Sequence, residues 1–222
     1  MKIAGELTIK DWEDLEKKLV LNNDELWGLA FHFFEERIRT RYLNPINAIL
    51  DLKINNGEGF AVVNLQCSLI ETIESFINGW KYEHPHYIKM DGDSFKGNKN
   101  VFMSFFKNHN AFKIMESKAY DFYINVRCAC LHETQTKNGW TILSDTEQTK
   151  LVFNGEKIIF RENFQKELEN IIAKYKLAIQ IGTSYKNIAQ AINTGNSFEN
   201  LEKNTELRDN FKAKMKHICD KS

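Results

Sequence analysis

Arg127 and His132 stand five residues apart in RCACLH, within the otherwise mostly apolar stretch AYDFYINVRCACLHE. An imidazole moves protons near neutral pH. A guanidinium grips a phosphate through two parallel donors and keeps its charge at any working pH. Together they supply what metal-free cleavage of an RNA phosphodiester needs. One group shifts protons, the other stabilises charge on the phosphorane, and the RNA 2′-hydroxyl is the internal nucleophile. A charged arginine in an apolar helix costs free energy unless something holds it. The pair is therefore either a satisfied polar contact in a core or a site.

Helical geometry sets a condition on the second option. Five residues on an ideal α-helix turn through about 500°, which leaves the two side chains roughly 140° apart. They meet only if the helix ends or distorts near His132, or if two copies of the chain share the site. ETQTKNG, directly after His132, reads as a helix exit. Cys128 and His132 share a helix face while Cys130 points away, so these three do not converge on one ion and no metal is expected. No cofactor is expected either, because the chain has no glycine-rich phosphate loop ahead of a helix and no Gly-x-Ser-x-Gly elbow.

Other residues are candidates to assist. Glu71 lies in a polar stripe of a long helix, with Asn64, Ser68, Ser75 and Asn78, and is placed to orient His132 or to pair with Arg127. Arg37 and Arg41 in ERIRTRY form a basic cluster with Arg39 that could hold an RNA backbone, or simply pair with Glu35 and Glu36. Lys137 and Trp140 offer a charge and a stacking surface for a base, although Trp140 in a first strand also reads as core. His84 and His86 flank Pro85 in what reads as a loop, and read as exposed loop histidines.

The elements that must position these groups are mostly helices. LWGLAFHFFEERIRTRY carries an apolar stripe of Leu26, Leu29, Ala30, Phe33, Phe34 and Ile38. It ends near Asn44-Pro45, where Asn44 is a cap and Pro45 starts PINAILDLKI. GFAVVNLQCSLIETIESFINGW buries Val62, Leu65, Leu69, Ile73 and Phe76, and HPHYIKMDGDSFKGNKN reads as loop. VFMSFFKNHNAF is helical, and SKAYDFYINVRCACLHE is a helix apolar on nearly every side, as in the centre of a bundle or a subunit interface. GWTILSD and TKLVFNGEKIIF read as strands around the Asn154-Gly155 turn. ENFQKELENIIAKYKLAIQIG is helical through Phe164, Leu168, Ile171, Ile172, Tyr175 and Ile179, and the charged tail is an amphipathic helix with Leu207, Phe211, Met215 and Ile218 on one edge. The expected fold is mainly α, a helical bundle with a small antiparallel β hairpin or sheet insertion around 140–160. A single domain over 1–222 is expected, with the β insertion at about 139–160 and C-terminal helices at about 161–220.

Composition narrows the setting. Thirty Lys and Arg balance thirty Asp and Glu, so the sequence is not that of a strongly basic nucleic-acid binder, although a local patch is compatible with zero net charge. The four cysteines show no disulfide spacing, and the N-terminus lacks the apolar core of a signal peptide. The lack of disulfide spacing makes a reducing cytoplasm the simpler reading of location, and no apolar run approaches ~18 residues, so no membrane span is expected.

NVRCACLHETQTKNGW resembles the signature region of the HEPN superfamily: an Arg, four to six residues, then a His near the end of a long helix. The resemblance covers roughly residues 20–135 as a helical arrangement, and the motif itself is six residues long. It implies a dimeric helical domain and a metal-independent endoribonuclease in a defence or toxin–antitoxin setting, with Arg127 and His132 in the catalytic positions. RNA, a second copy of the chain and a cognate partner protein are the partners it implies. Ribonuclease members often carry Asn, Asp or His directly after the arginine, and here that position is Cys128. The alternative is a non-catalytic HEPN-like dimeric module that binds a nucleotide, nucleic acid or partner protein.

Overall fold

The computed structural model describes residues 1–20, 23–54, 56–84, 86–89, 94–95, 97–145, 149–155 and 157–222, and the side chains of residues 86, 89, 94 and 95 lie outside that description. The chain is mainly α with small sheets. It opens with a hairpin of β1 (Lys2–Ala4) and β2 (Leu7–Thr8), then α1 (Ile9–Glu16) and α2 (Asp24–Ile38). A π-helical turn over Arg39–Leu43 leads straight into α3 (Asn44–Asp51). After α4 (Glu58–Ile77) come β3 (Trp80–Glu83), β4 (His86–Lys89) and β5 (Ser94–Phe95). Then follow α5 (Lys99–Asn108), α6 (Asn110–Lys113), α7 (Ala119–Phe122), a second π-helical turn over Tyr123–Cys128, and α8 (Ala129–Glu133). The last part is β6 (Thr141–Leu143), β7 (Phe153–Asn154), β8 (Ile158–Phe160), α9 (Arg161–Ile181), α10 (Tyr185–Thr194) and α11 (Glu206–Lys221).

The chain divides into two compact units. The first comprises Met1–Arg41, Ser75–Phe95 and Ile172–Ser222. Its core is aromatic: Phe34 and Phe76 have ring centroids 4.6 Å apart, and Phe31, Tyr175 and Phe211 close around them. Trp12 packs edge-on to Phe33 at 5.4 Å. α1 is started by a capping box, in which Thr8 accepts from the Asp11 amide and Asp11 accepts from Thr8. Arg208, buried in α11, donates Nε to the Ile179 carbonyl at 2.7 Å and so caps the C-terminal end of α9. Its guanidinium lies 2.8 Å from where a Cβ on Gly182 would stand, and Gly182 has φ +74°, so a side chain there is excluded twice over.

Lys214 is buried in the same unit, its Nζ donating to the Trp80 carbonyl at 2.7 Å. Burial, with the Arg37 charge nearby, pushes its amine from lysine's ordinary 10.5 down to about 8. The folded value lies below the unfolded one, so the unfolded chain holds the extra proton between the two. Stability from this group therefore rises as pH climbs from about 8 towards 10.5 and stays low below that window. Urea unfolding at either end of the window is expected to show a rise for the native chain that Lys214→Met lacks, about 1–3 kcal/mol in size.

The second unit comprises Tyr42–Glu74 and Lys96–Ile171. It has its own aromatic core, in which Phe105 and Phe112 lie 4.6 Å apart and Phe106, Phe122, Phe153 and Phe164 complete the cluster. β6, β8 and β7 form a three-stranded sheet in that order. The expected hairpin is present at Asn154 and Gly155, β7 pairing antiparallel to β8 with Gly155 at φ +58°. β6, however, runs parallel to β8, so the sheet is mixed rather than antiparallel.

Several expectations need correction. Residues 86–89, expected in a loop, pair with Trp80–Glu83, and residues 94–95 pair in turn with Tyr87 and Ile88, making a three-stranded sheet in which Tyr87 and Ile88 oppose Tyr82 and Lys81; Pro85 and the His86 side chain lie outside the described residues. Asn44 caps nothing: the π-turn carries the backbone into α3 and Leu43 precedes it without a side-chain cap. Leu29, expected in the core, is exposed, while Trp27 and Phe31 take its place. α10, with Ser184 as its cap, was not expected. α4 is, among the described residues, long and apolar enough by length and composition alone to cross a membrane, although it is not an unbroken apolar run. It is largely buried inside the protein, as a core helix is, and carries Gln66, Glu71 and Glu74.

Candidate active site

The motif helix of the second unit is not a regular α-helix. From Tyr123 to Cys128 it widens to a π-turn, and the Ala129 amide bonds the Ile124 and Val126 carbonyls, bypassing Asn125. The Asn125 carbonyl accepts the Lys137 amide instead, at 2.8 Å. The helix ends directly after the motif, with Thr134 in the left-handed conformation at φ 58°. The helix thus both distorts before His132 and ends just after it, either of which the spacing of Arg127 and His132 called for if one chain is to bring them together.

Arg127 is mostly buried, its side chain 20% exposed, and its Nε donates to Glu71 Oε1 of α4 at 2.9 Å. Of the two roles foreseen for Glu71, pairing with Arg127 is the one observed. The Tyr123 ring, one turn back, lies 5.9 Å from the guanidinium carbon. Burial works to lower the Arg127 pKa, but the Glu71 carboxylate beside it raises it beyond its ordinary value. Among the described residues, its two terminal nitrogens have no hydrogen-bond partner. The result is a charged fork held from behind by a carboxylate, with its outer donors unpaired among the described residues.

Cys128 shares a hydrogen bond with the Tyr123 phenol; burial, then that thiol, pushes the phenol up to about 12. Cys130 is buried and pushed up to about 11, and burial pushes fully buried Cys67 well above its ordinary value, so both stay thiols. His132 is exposed and makes no hydrogen bond among the described residues. The helix, expected to be apolar all round, buries Phe122, Val126 and Ala129 but exposes Tyr120, Ile124 and Leu131 at 49%, 41% and 55%.

Sequence reasoning missed Asp121, the residue that fixes the segment following the motif. Its carboxylate accepts from Trp140 Nε1 at 2.7 Å, Asn125 Nδ2 at 2.8 Å and Asn138 Nδ2 at 3.0 Å, and pairs with Lys157 at 3.2 Å. Burial alone would raise its pKa, but the bonds from Trp140, Lys157 and Asn138 outweigh it and hold the carboxyl below the ordinary value. Nothing in the sequence pattern marks it, because its partners are scattered over 36 positions from Asp121 to Lys157.

The remaining candidates have surroundings of their own. Trp140 is buried edge-on against Phe122 and precedes β6 rather than lying in it, so its ring is unavailable to stack a base. Lys137 pairs with Glu133. Arg37 and Arg41 belong to the first unit, where Arg37 donates to the Ile3 carbonyl at 2.7 Å, Arg41 is exposed, and Arg39 pairs with Glu36. A pocket of about 240 Å³ lies among Gly57, Phe60, Ile142 and Arg161, but Arg161 already pairs with Glu58 at 2.8 Å and Glu162 at 2.9 Å. His109 and Glu74 meet at 3.0 Å, both sealed in the core where α5 gives way to α6.

No family model, no curated protein and no solved structure matches this chain.

Proposed function

We propose that the protein is a metal-independent endoribonuclease of the HEPN type, with Arg127 as the phosphate-binding group and His132 as the proton-shifting group. The observation that carries this is the Arg127 fork: Nε tied to Glu71, and outer donors without a partner among the described residues. A purely structural arginine would spend those donors on protein acceptors. In the proposed reaction the 2′-oxygen attacks the adjacent phosphorus as His132 shifts a proton, the 5′-oxygen of the next nucleotide leaves, and a 2′,3′-cyclic phosphate remains. Arg127 stabilises the charge on the non-bridging oxygens, and Glu71 positions Arg127.

The proposal includes a homodimer, supported by Tyr120, Ile124 and Leu131 exposed on the motif helix itself. A defence or toxin–antitoxin setting and a cognate protein partner are part of the same reading by resemblance. Cys128 after the arginine favours the second reading, a non-catalytic module that binds nucleic acid, a nucleotide or a protein through the same fork. A ribo-oligonucleotide and its 2′-deoxy counterpart, incubated in EDTA, separate the two. The enzyme cuts the first and leaves the second intact; the binding module holds either without cutting.

A further inference from the structure

β6 is an edge strand of the sheet in the second unit, where the strand order is β6, β8, β7. Its pairing shows which of its backbone groups are spent. The Thr141 amide donates to the Lys157 carbonyl at 2.9 Å, and the parallel register sets Ile142 against Ile159. Along a strand the amide and carbonyl of one residue point to one side, and those of the next residue to the other. Thr141 and Leu143 therefore bond towards β8, and the amide and carbonyl of Ile142 face outward. Thr141 and Leu143 are exposed on either side of it. A free strand edge of this kind is a template for another strand. The cavity of about 240 Å³ lies at the same strand. Its walls are Gly57, Gly59 and Phe60 at the start of α4, Ile142 and Leu143 of β6, and Arg161 at the start of α9. Gly59 seats α4 against the other two elements: a Cβ there would stand 3.1 Å from Ile142 Cγ2 and 3.0 Å from Arg161 Nη1. The polar side chains at the cavity are already engaged. Ser144 Oγ donates to Glu162 at 2.8 Å, and Arg161 pairs with Glu58 and Glu162. What they leave is apolar wall.

We propose that this edge and cavity bind an extended peptide of a partner protein. The peptide adds as a strand beside β6 and bonds the outward amide and carbonyl of Ile142. One of its apolar side chains fills the cavity. Size favours that occupant over a free small molecule, whose sites run to about 300–1,000 Å³ and offer several convergent polar groups. Charge narrows the peptide further. Among the residues of the cavity and their chain neighbours, Glu58, Asp145 and Glu162 stand against the single cation Arg161. A lysine or arginine two positions from the apolar residue lies on the same side of the added strand and faces those carboxylates. A second copy pairing β6 with β6 is the poorer occupant, because it sets the same carboxylates against each other. The surface needs neither Arg127 nor His132.

The test is fluorescence anisotropy of the full chain with labelled heptapeptides Thr-Lys-Val-Xaa-Val-Lys-Thr, in which Xaa is Phe, Leu, Met or Trp. At least one is expected to bind with Kd below about 100 µM. Replacing both of its lysines by glutamate is expected to weaken it about tenfold at low salt. Two further versions of that peptide carry N-methyl groups on alternate amides, one set for each edge of the strand. One version is expected to bind about tenfold or more weakly and the other nearly as the parent, because a strand added at one edge uses one row of donors. Leu143→Asp is expected to cost about tenfold or more, whereas Leu151→Asp, at a leucine 50% exposed outside the cavity, leaves affinity unchanged. Both variants are first matched to the native chain in circular dichroism and thermal midpoint, and the methylated pair needs no variant at all. No binding by any of the peptides at about 1 mM overturns the proposal. So does equal binding of the two methylated versions, no loss in Leu143→Asp, or a glutamate peptide that binds as tightly as its lysine parent. Self-association that Leu143→Asp abolishes, with no peptide bound, gives the edge to a second copy and overturns it as well. The motif stands apart from this outcome: a chain that cuts RNA but binds no peptide loses this surface only. A chain that binds peptide at β6 and cuts nothing loses the ribonuclease reading only.

Discussion

Asp121→Ala is expected to destabilise the protein by about 3 kcal/mol and to loosen residues 134–140. One carboxylate accepts hydrogen bonds from Asn125, Asn138 and Trp140 and pairs with Lys157. Hydrogen bonds to a charged group contribute about 1.5–3 kcal/mol each, but partners of a single hub are not additive, which places the total near the cost of breaking a buried ion pair. Trp140 loses its acceptor while remaining packed on Phe122, so its indole N–H is left buried and unpaired. Urea unfolding followed by tryptophan fluorescence measures the loss, and hydrogen exchange at the Lys137 amide reports the loosened segment. The pH dependence has a definite sign. The Asp121 pKa is held below its unfolded value, so its contribution is fully present above the ordinary carboxylate range and lost as pH falls through the folded value. The variant is expected to lack that acid limb.

Arg127→Lys is expected to lower RNA cleavage by about 100-fold or more, near 3 kcal/mol of transition-state stabilisation, with little change in thermal midpoint. Lysine keeps a charge that can reach Glu71, so the partly buried carboxylate retains a cationic partner. It cannot hold Glu71 with one nitrogen and a phosphate with a separate fork, because an ammonium is a point charge on a flexible stem. Arg127→Ala is the poorer probe, since it removes the cation beside Glu71 and mixes a folding defect into the rate. Glu71→Gln is expected to fall between native and Arg127→Lys, because an amide oxygen still accepts from Nε but no longer adds charge. Single-turnover cleavage alongside thermal unfolding separates the two effects for each variant.

The core helices were legible because their apolar residues recur with helical period. Phe164, Leu168, Ile171, Ile172, Tyr175 and Ile179 are all buried in α9, and Leu207, Phe211, Met215 and Ile218 are buried in α11. The Asn154-Gly155 turn was legible for a local reason, the left-handed conformation that glycine accepts. What stayed hidden depends on contacts distant in sequence. Asp121 gains its role only when Trp140 and Lys157 fold back onto it. The π-turn at Tyr123–Cys128 leaves no mark in the pattern of polar and apolar residues, yet it is what lets the Asn125 carbonyl reach Lys137. Lys214 sits beside Met215 at the edge of an apolar stripe, and only the fold shows it buried on the Trp80 carbonyl. At the candidate site, the pairing of Arg127 with Glu71 was within reach because both stood out against their helices. For Trp140 the sequence offered both a stacking surface and a core residue, since both call for the same aromatic ring, and the structure bears out the core reading.

The central claim is tested most directly by incubating the full chain with RNA in EDTA and comparing it with His132→Ala. His132 is exposed and makes no hydrogen bond among the described residues, so the variant is expected to fold and sediment like the native chain. The native protein is expected to cut, leaving 2′,3′-cyclic phosphate ends, and His132→Ala to cut at least about 100-fold more slowly. Equal cleavage by the two proteins, or none by the native chain on single-stranded, structured and transfer RNA alike, would contradict the account.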